Sequence, residues 1–150
     1  MEKITLTNMC MIYDQENQKV LVQNRKKNWK GIAFPDGHVE QGEAIVPSVI
    51  REIKEETGLE ISNPKLVGIR DWYDRSTNER TVSFLFVCCN YKGTLIKKTS
   101  EGEVFFVDVD KLGELEFAYG FKDQIQVFFK QNYTEIFSIN ESKNWKYIYY

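Results

Sequence analysis

Residues 37–59 read G-H-V-E-Q-G-E-A-I-V-P-S-V-I-R-E-I-K-E-E-T-G-L. Within them Val46, Val49, Ile50 and Ile53 recur at i, i+3, i+4 and i+7, so one buried stripe predicts a helix over 44–57. Gly58 follows where a C-terminal cap belongs. Pro47 falls in the first turn, where its missing N–H removes no intrahelical bond. Three glutamates, Glu52, Glu55 and Glu56, lie inside an arc of roughly 100° beside that stripe. Like charges three and four residues apart repel, and the nearby cations, Arg51 and Lys54, point to the flank. Oxygen ligands gathered at one helix edge are what a hard divalent cation such as Mg2+ takes. A solvated acidic face is the alternative.

The segment Phe34-Pro35-Asp36-Gly37-His38-Val39-Glu40-Gln41-Gly42-Glu43 delivers the chain into this helix, and a glycine in it lets backbone approach a metal or phosphate closely. Read together, loop and helix carry the pattern G-x5-E-x7-R-E-U-x-E-E-x-G-U, with U a bulky apolar residue. Gly37, Glu43, Arg51, Glu52, Ile53, Glu55, Glu56, Gly58 and Leu59 fill every defined position. This resembles the box of the Nudix family, which hydrolyses nucleoside diphosphates linked to another group. The resemblance implies Mg2+ as cofactor, with Mn2+ as a substitute. It also implies metal ligation by Glu52, Glu55, Glu56 and the Gly37 carbonyl, and an Arg51 that orients a glutamate. Glu43 would support the loop-to-helix junction or a water at the metal. Glu52 is the expected general base inside the box. Glu103 is a candidate for an extra ligand or base, and a solvated strand-edge charge is its other reading.

Outside the box, Arg25 closes Val20-Leu21-Val22-Gln23-Asn24-Arg25 at a position where the family often binds phosphate; a solvated loop cation is the alternative. Lys26 and Lys27 belong to solvent. Phe34-Pro35-Asp36-Gly37 resembles the F-P-G-G of the MutT branch, in which the phenylalanine lies at the base pocket, and Asp36 replaces the first glycine. Asp123 falls where that branch reads the base, and it also suits a helix start by its charge. Trp29, Trp72, Tyr73 and Phe121 are candidates to stack on a base or to fill core and rim. His38, the sole histidine, reads as a loop hydrogen-bonder.

The rest of the chain supplies a sheet. Strands are expected at residues 3–12, from Val20, and at Lys65–Trp72, Arg80–Asn90 and Glu103–Val109. Ser83–Cys88 is nearly all apolar and belongs in the middle of a sheet. A second helix fits Lys122–Asn132, with Ile125, Phe128 and Phe129 at helical spacing, and Trp145–Tyr150 reads as an added edge strand. The order β-β-β-α-β-β-β-α implies an α/β protein with a mixed sheet packed between helices. The resemblance makes this the Nudix fold, an α/β/α sandwich.

Composition bounds the rest. At 150 residues one domain, 1–150, is expected, burying roughly 70% of the extended chain's surface. Hydrophobic residues at 42% and charged residues at 28% exclude a disordered or collagen-like chain. A net charge of −2 lacks the footprint of a sequence-independent nucleic-acid binder, so no stable nucleic-acid binding is expected. No apolar run approaches the roughly 20 residues of a membrane helix, and Met1–Gln15 has no secretory signal pattern. Cys10, Cys88 and Cys89 make no CxxC, which predicts a reducing, cytoplasmic setting without disulfides.

The expected activity is a Mg2+-dependent pyrophosphohydrolase of nucleoside triphosphates, with oxidised purines such as 8-oxo-dGTP among the candidates, releasing monophosphate and pyrophosphate. Nucleotide sugars, dinucleoside polyphosphates and RNA 5′ ends are the alternatives within that chemistry. A nucleotide sensor without turnover is a reading from another class, against which the intact Glu52, Glu55 and Glu56 stand. An interaction module whose C-terminal aromatic segment pairs with another chain is a third.

Overall fold

The computed structural model describes residues 1–130 and 132–150, with Lys130 described by its backbone alone. The long first strand, β1 (Lys3–Asp14), organises the sheet, because it pairs with different partners along its length. It runs parallel to β7 (Glu79–Cys88) over residues 3–12. At Thr7–Met9 it also pairs with β4 (Asp36–His38), and only at Tyr13 and Asp14 does it meet β2 (Lys19–Arg25). Between those two partners the sheet opens, and β3 (Gly31–Ala33) continues from β2 into the opening.

Outward from β7 follow β6 (Lys65–Asp74), then β11 (Glu135–Glu141) parallel to it, and β12 (Asn144–Tyr149) at the edge. On the other side β2 pairs with β10 (Gly102–Asp108), which is flanked by β9 (Lys98–Thr99). A small separate pair joins β5 (Glu60–Ser62) to β8 (Asn90–Lys92). The sheet is mixed and β7 lies inside it, as the apolar run predicts. An edge strand does form where Trp145–Tyr150 reads as one, over Asn144–Tyr149. Its partner β11 was not anticipated, because Glu135–Glu141 mixes polar and apolar residues without a clean alternation.

Two helices cover the two faces. Residues of β1 alternate between them: Met9 and Met11 join a core with Phe34, Leu85, Phe121 and Phe128, while Cys10 and Ile12 join Val49, Ile53, Leu59 and Phe86. The first face carries α2 (Phe121–Lys130) and the second α1 (Ile45–Thr57). Helix α1 ends on Gly58 at φ 79°, where the backbone N–H of Gly58 donates to the Lys54 carbonyl. Val46, expected in the buried stripe, is 44% exposed. Ser48 takes a buried place instead, because its hydroxyl accepts from Asn8 Nδ2 on β1 at 2.9 Å and donates to the Ile45 carbonyl at 2.6 Å. Helix α2 starts at Phe121 rather than Lys122. Its expected end at Asn132 lies past Gln131, which is outside the described residues. Phe129 is exposed, and Val127 and Phe128 form the buried contact. Among the described residues no helix is long and apolar enough to cross a membrane.

Candidate active site

The junction between β4 and α1 is fixed by one arginine. Arg51 Nε donates to Glu43 Oε1 at 2.8 Å, and Nη2 donates to Glu43 Oε2 at 3.0 Å and to the His38 carbonyl at 2.9 Å. Nη1 reaches Glu52 Oε1 at 3.0 Å and Glu55 Oε2 at 3.1 Å. Glu43 in turn accepts from the Glu40 backbone N–H at 2.9 Å. A planar fork paired with a carboxylate gives direction as well as attraction, so loop and helix are held as one unit. Arg51 holds the Glu43 carboxyl below the usual carboxylate range, and Glu43 in turn raises the pKa of the Arg51 guanidinium.

The remaining glutamate stands apart from this network. Glu56 Oε2 is buried with no hydrogen-bond partner. Burial above all, then the charges of Asp36, Glu52 and Glu101, pushes its pKa up to about 8, against a smaller opposing effect of Arg25. Glu52 is shifted the same way, chiefly by burial, with Arg51 opposing. At Gly37 a β-carbon would collide with the Glu52 carboxyl group, so the glycine leaves room for that carboxylate against β4. Among the described residues no three acidic or histidine side chains already gather around one point as ready ligands. Glu52 and Glu55 are turned toward Arg51. Even so, a buried, unpartnered carboxylate oxygen among like charges is the donor set that a hard divalent cation would satisfy. The residues present therefore fit a Mg2+-type ion.

Beside this junction lies a cleft of about 450 Å³. Its floor is one face of the sheet, and a single ladder row crosses it: Arg70 on β6 opposes Ser83 on β7, Ser83 opposes Thr7 on β1, and Thr7 opposes His38 on β4. Trp29 and Tyr119 roof it, stacked with centroids 5.5 Å apart.

The expected binding residues divide. Arg25 borders the cleft, but its guanidinium pairs with Asp36 and donates from Nε to the Asn28 carbonyl at 3.3 Å. The acidic replacement in the F-P-x-G loop thus holds the arginine expected to bind phosphate. Phe34 does not reach a base pocket. It is 0% exposed, packed edge-on against Phe121 at 4.8 Å and Phe128 at 5.0 Å. Three large rings close the core there, leaving Phe121 and Ala33 at the cleft.

Asp123 sits in the first turn of α2 and accepts a 2.8 Å hydrogen bond from the Tyr149 hydroxyl, so its carboxylate ties α2 to β12 and does not line the cleft. Glu103 is exposed, and its charge acts on Lys26; Glu101 is the neighbour whose charge reaches Glu56. Trp29, Trp72 and Phe121 line the cleft. Tyr73 lies on the other side of its strand, where Arg80 stands 5.2 Å over its ring. His38 lies on β4 rather than in a loop; its carbonyl accepts from Arg51, and the residue adds to the cleft floor. Arg70, Gln124 and Tyr119 were missed. Alternation along β6 places Arg70 with Trp72 on one face, yet only the tertiary fold says which face is open.

The NUDIX domain profile matches residues 4–128. The ADP-ribose pyrophosphatase of Methanocaldococcus jannaschii is 34% identical over 107 residues, 71% of this chain and 63% of that relative. The chain thus spans a little under two thirds of that protein's length. An uncharacterized Nudix hydrolase of Bacillus subtilis is 30% identical over 112 residues, 73% of this chain and 70% of its own. The MutT protein of Bacillus halodurans shares the fold with a TM-score of 0.76 at 23% identity, covering 95% of this chain and 97% of that one. The NUDIX domain of Shewanella oneidensis NrtR, solved with ADP-ribose, has a TM-score of 0.68 at 15% identity and covers 87% and 88%. The chain belongs to the Nudix family, and its fold is that of the MutT-like structures.

Proposed function

We propose that this protein hydrolyses the pyrophosphate bond of a nucleoside diphosphate-linked substrate with the help of a divalent cation, Mg2+ foremost. The observation that carries this reading is the unpartnered, buried Glu56 Oε2 beside Asp36, Glu52 and Glu101. Glu52, Glu55, Glu56 and the Gly37 carbonyl would hold the ion. When bound, it would neutralise the polyphosphate and make a water more acidic. Arg51 keeps Glu52 and Glu55 aimed while Glu43 fixes Arg51 itself. A water oxygen adds to phosphorus in line, the bridging P–O bond breaks, and its electron pair leaves with the departing phosphate. Glu52 takes the proton from the water. Arg25 meets the phosphate chain once Asp36 releases it. Positioning and charge supply most of the acceleration in such transfers.

The substrate we place first is a nucleoside triphosphate, cleaved to monophosphate and pyrophosphate in a cytoplasmic setting. The narrower choice of an oxidised purine such as 8-oxo-dGTP rests on MutT-like size and the F-P-x-G loop, and the burial of Phe34 weakens the loop's part in it. The similarity to an ADP-ribose pyrophosphatase favours a second reading, ADP-ribose.

The test is pyrophosphate or phosphate release with Mg2+ from dGTP, 8-oxo-dGTP, the other triphosphates, ADP-ribose, a nucleotide sugar and a dinucleoside polyphosphate. Glu56→Gln is run beside the wild type. The expected result is release from one class that falls at least ~100-fold in the variant, the scale of losing one organised charge partner. Unchanged turnover in Glu56→Gln at saturating Mg2+ would remove Glu56 from the metal site. Silence across the panel would favour the sensor.

A further inference from the structure

The far end of the cleft holds two polar groups that the proposed hydrolysis leaves without a task. Arg70 lines the floor and is only 6% exposed, its Cζ 4.8 Å from the centroid of Trp72. Its Nε has no partner, and among the described residues no carboxylate stands within ion-pairing distance. The Tyr147 phenol and, after it, Asp123 and Tyr119 face the guanidinium, and the Asp123 carboxylate is itself bonded by Tyr149. Gln124, on α2 at the same cleft, buries its Oε1 without a partner. A buried guanidinium and a buried carboxamide oxygen each cost free energy until something complements them. One is a fork of donors and the other an acceptor.

The row Arg70–Ser83–Thr7–His38 puts Arg70 three strand spacings from β4, about 14 Å from the metal junction. With the phosphates at Gly37, that end receives the base of a nucleotide. Trp72 and the Trp29–Tyr119 pair offer it aromatic faces.

We propose that Arg70, assisted by Gln124, determines base specificity and selects guanine. Guanine presents O6 and N7 side by side as acceptors for the fork, and its N1–H beside O6 is the donor that Gln124 Oε1 lacks. Adenine presents the reverse pattern, an N6 amine toward the guanidinium and an unprotonated N1 toward the oxygen. 8-Oxoguanine carries a hydrogen on N7, so it meets the same fork with one acceptor fewer. The inference rests on the nucleotide reading above but needs neither metal nor turnover.

The experiment is binding of GMP and AMP without metal, followed by the fluorescence of Trp29 and Trp72. GMP is expected to bind roughly 5–100-fold more tightly, the discrimination of one bidentate arginine–guanine pair. 7-Deaza-GMP, which lacks the N7 acceptor, should lose most of that advantage on the unaltered protein. Arg70→Lys keeps the charge without the fork and should bring GMP and AMP within about threefold of each other, with a melting scan to confirm folding. Equal or tighter AMP binding overturns the assignment. So does 7-deaza-GMP binding like GMP, an equal loss of both nucleotides in Arg70→Lys, or no binding of either at millimolar concentration. A silent hydrolysis panel with a GMP preference defeats the activity alone. Robust hydrolysis without base preference defeats this inference alone.

Discussion

Arg51, at the β4–α1 junction beside the cleft, and Arg70, on the cleft floor, are held in opposite ways. At the α1 end, every nitrogen of Arg51 donates, to Glu43, Glu52, Glu55 and the His38 carbonyl. At the β6 end, Arg70 leans on an indole ring, its Nε is bare, and no carboxylate pairs with it among the described residues. A guanidinium whose donors are already used is a strut. One whose Nε is buried and unpaired has a donor left for a ligand. The α1 end is therefore braced by its own contacts, whereas the β6 end keeps buried polar atoms without partners.

The largest effect that would sharpen this contrast is expected for Arg51→Lys. A lysine cannot make the bidentate pair with Glu43, so Glu52 and Glu55 lose their common support. We expect roughly 10–100-fold weaker metal binding, as for other partners that orient ligands, measured by Mg2+ titration of turnover. Metal affinity within twofold of wild type would reduce Arg51 to a surface charge. Arg25→Ala should act less strongly, raising KM for triphosphates about tenfold with kcat little changed, the worth of one charge-assisted hydrogen bond. An unaltered KM would assign Arg25 to holding Asp36 and nothing more.

The smallest effect is at the tie beneath Arg70. Tyr149→Phe removes the hydrogen bond to Asp123 and should cost about 1 kcal/mol, lowering Tm by about 2–4 °C. Burial first, then Asp123, pushes the Tyr149 phenol up to about 12 from its ordinary value near 10. A raised pKa stabilises while the group is protonated in both states. Its contribution is therefore complete below pH 10 and lost as pH climbs toward 12. Denaturant midpoints of wild type and variant should differ at pH 9 and converge above pH 11. A constant difference across that range would mean the hydroxyl works by packing alone.

The same contrast explains what could be read in advance. Gly37, Glu43, Arg51, Glu52, Glu55 and Glu56 lie within twenty residues, and their geometry follows from a turn feeding a helix. The resemblance to the Nudix box therefore exposes them together, and helical spacing gathers the three glutamates of the helix. Arg70, Gln124, Trp29 and Tyr119 come from three separate segments, and the tertiary fold joins them. No spacing announces that. Phe34 misled for a related reason: its loop motif is local, but its burial is decided by Phe121 and Phe128, far along the chain on α2. Val46 failed in miniature, displaced from the buried stripe because Asn8 on β1 draws Ser48 inward.

Trp29 carries a last consequence. Its backbone sits at φ 57°, next to Asn28 at φ 27°, a left-handed stretch unfavourable to a bulky side chain. Stacking on Tyr119 and contact with Trp72 hold it there. Trp29→Gly would relieve the backbone and strip the cleft of its roof in one step. At this position selection for a calmer loop and selection for a discriminating cleft pull against each other, so a search for thermostable variants would drift toward proteins that no longer tell one base from another.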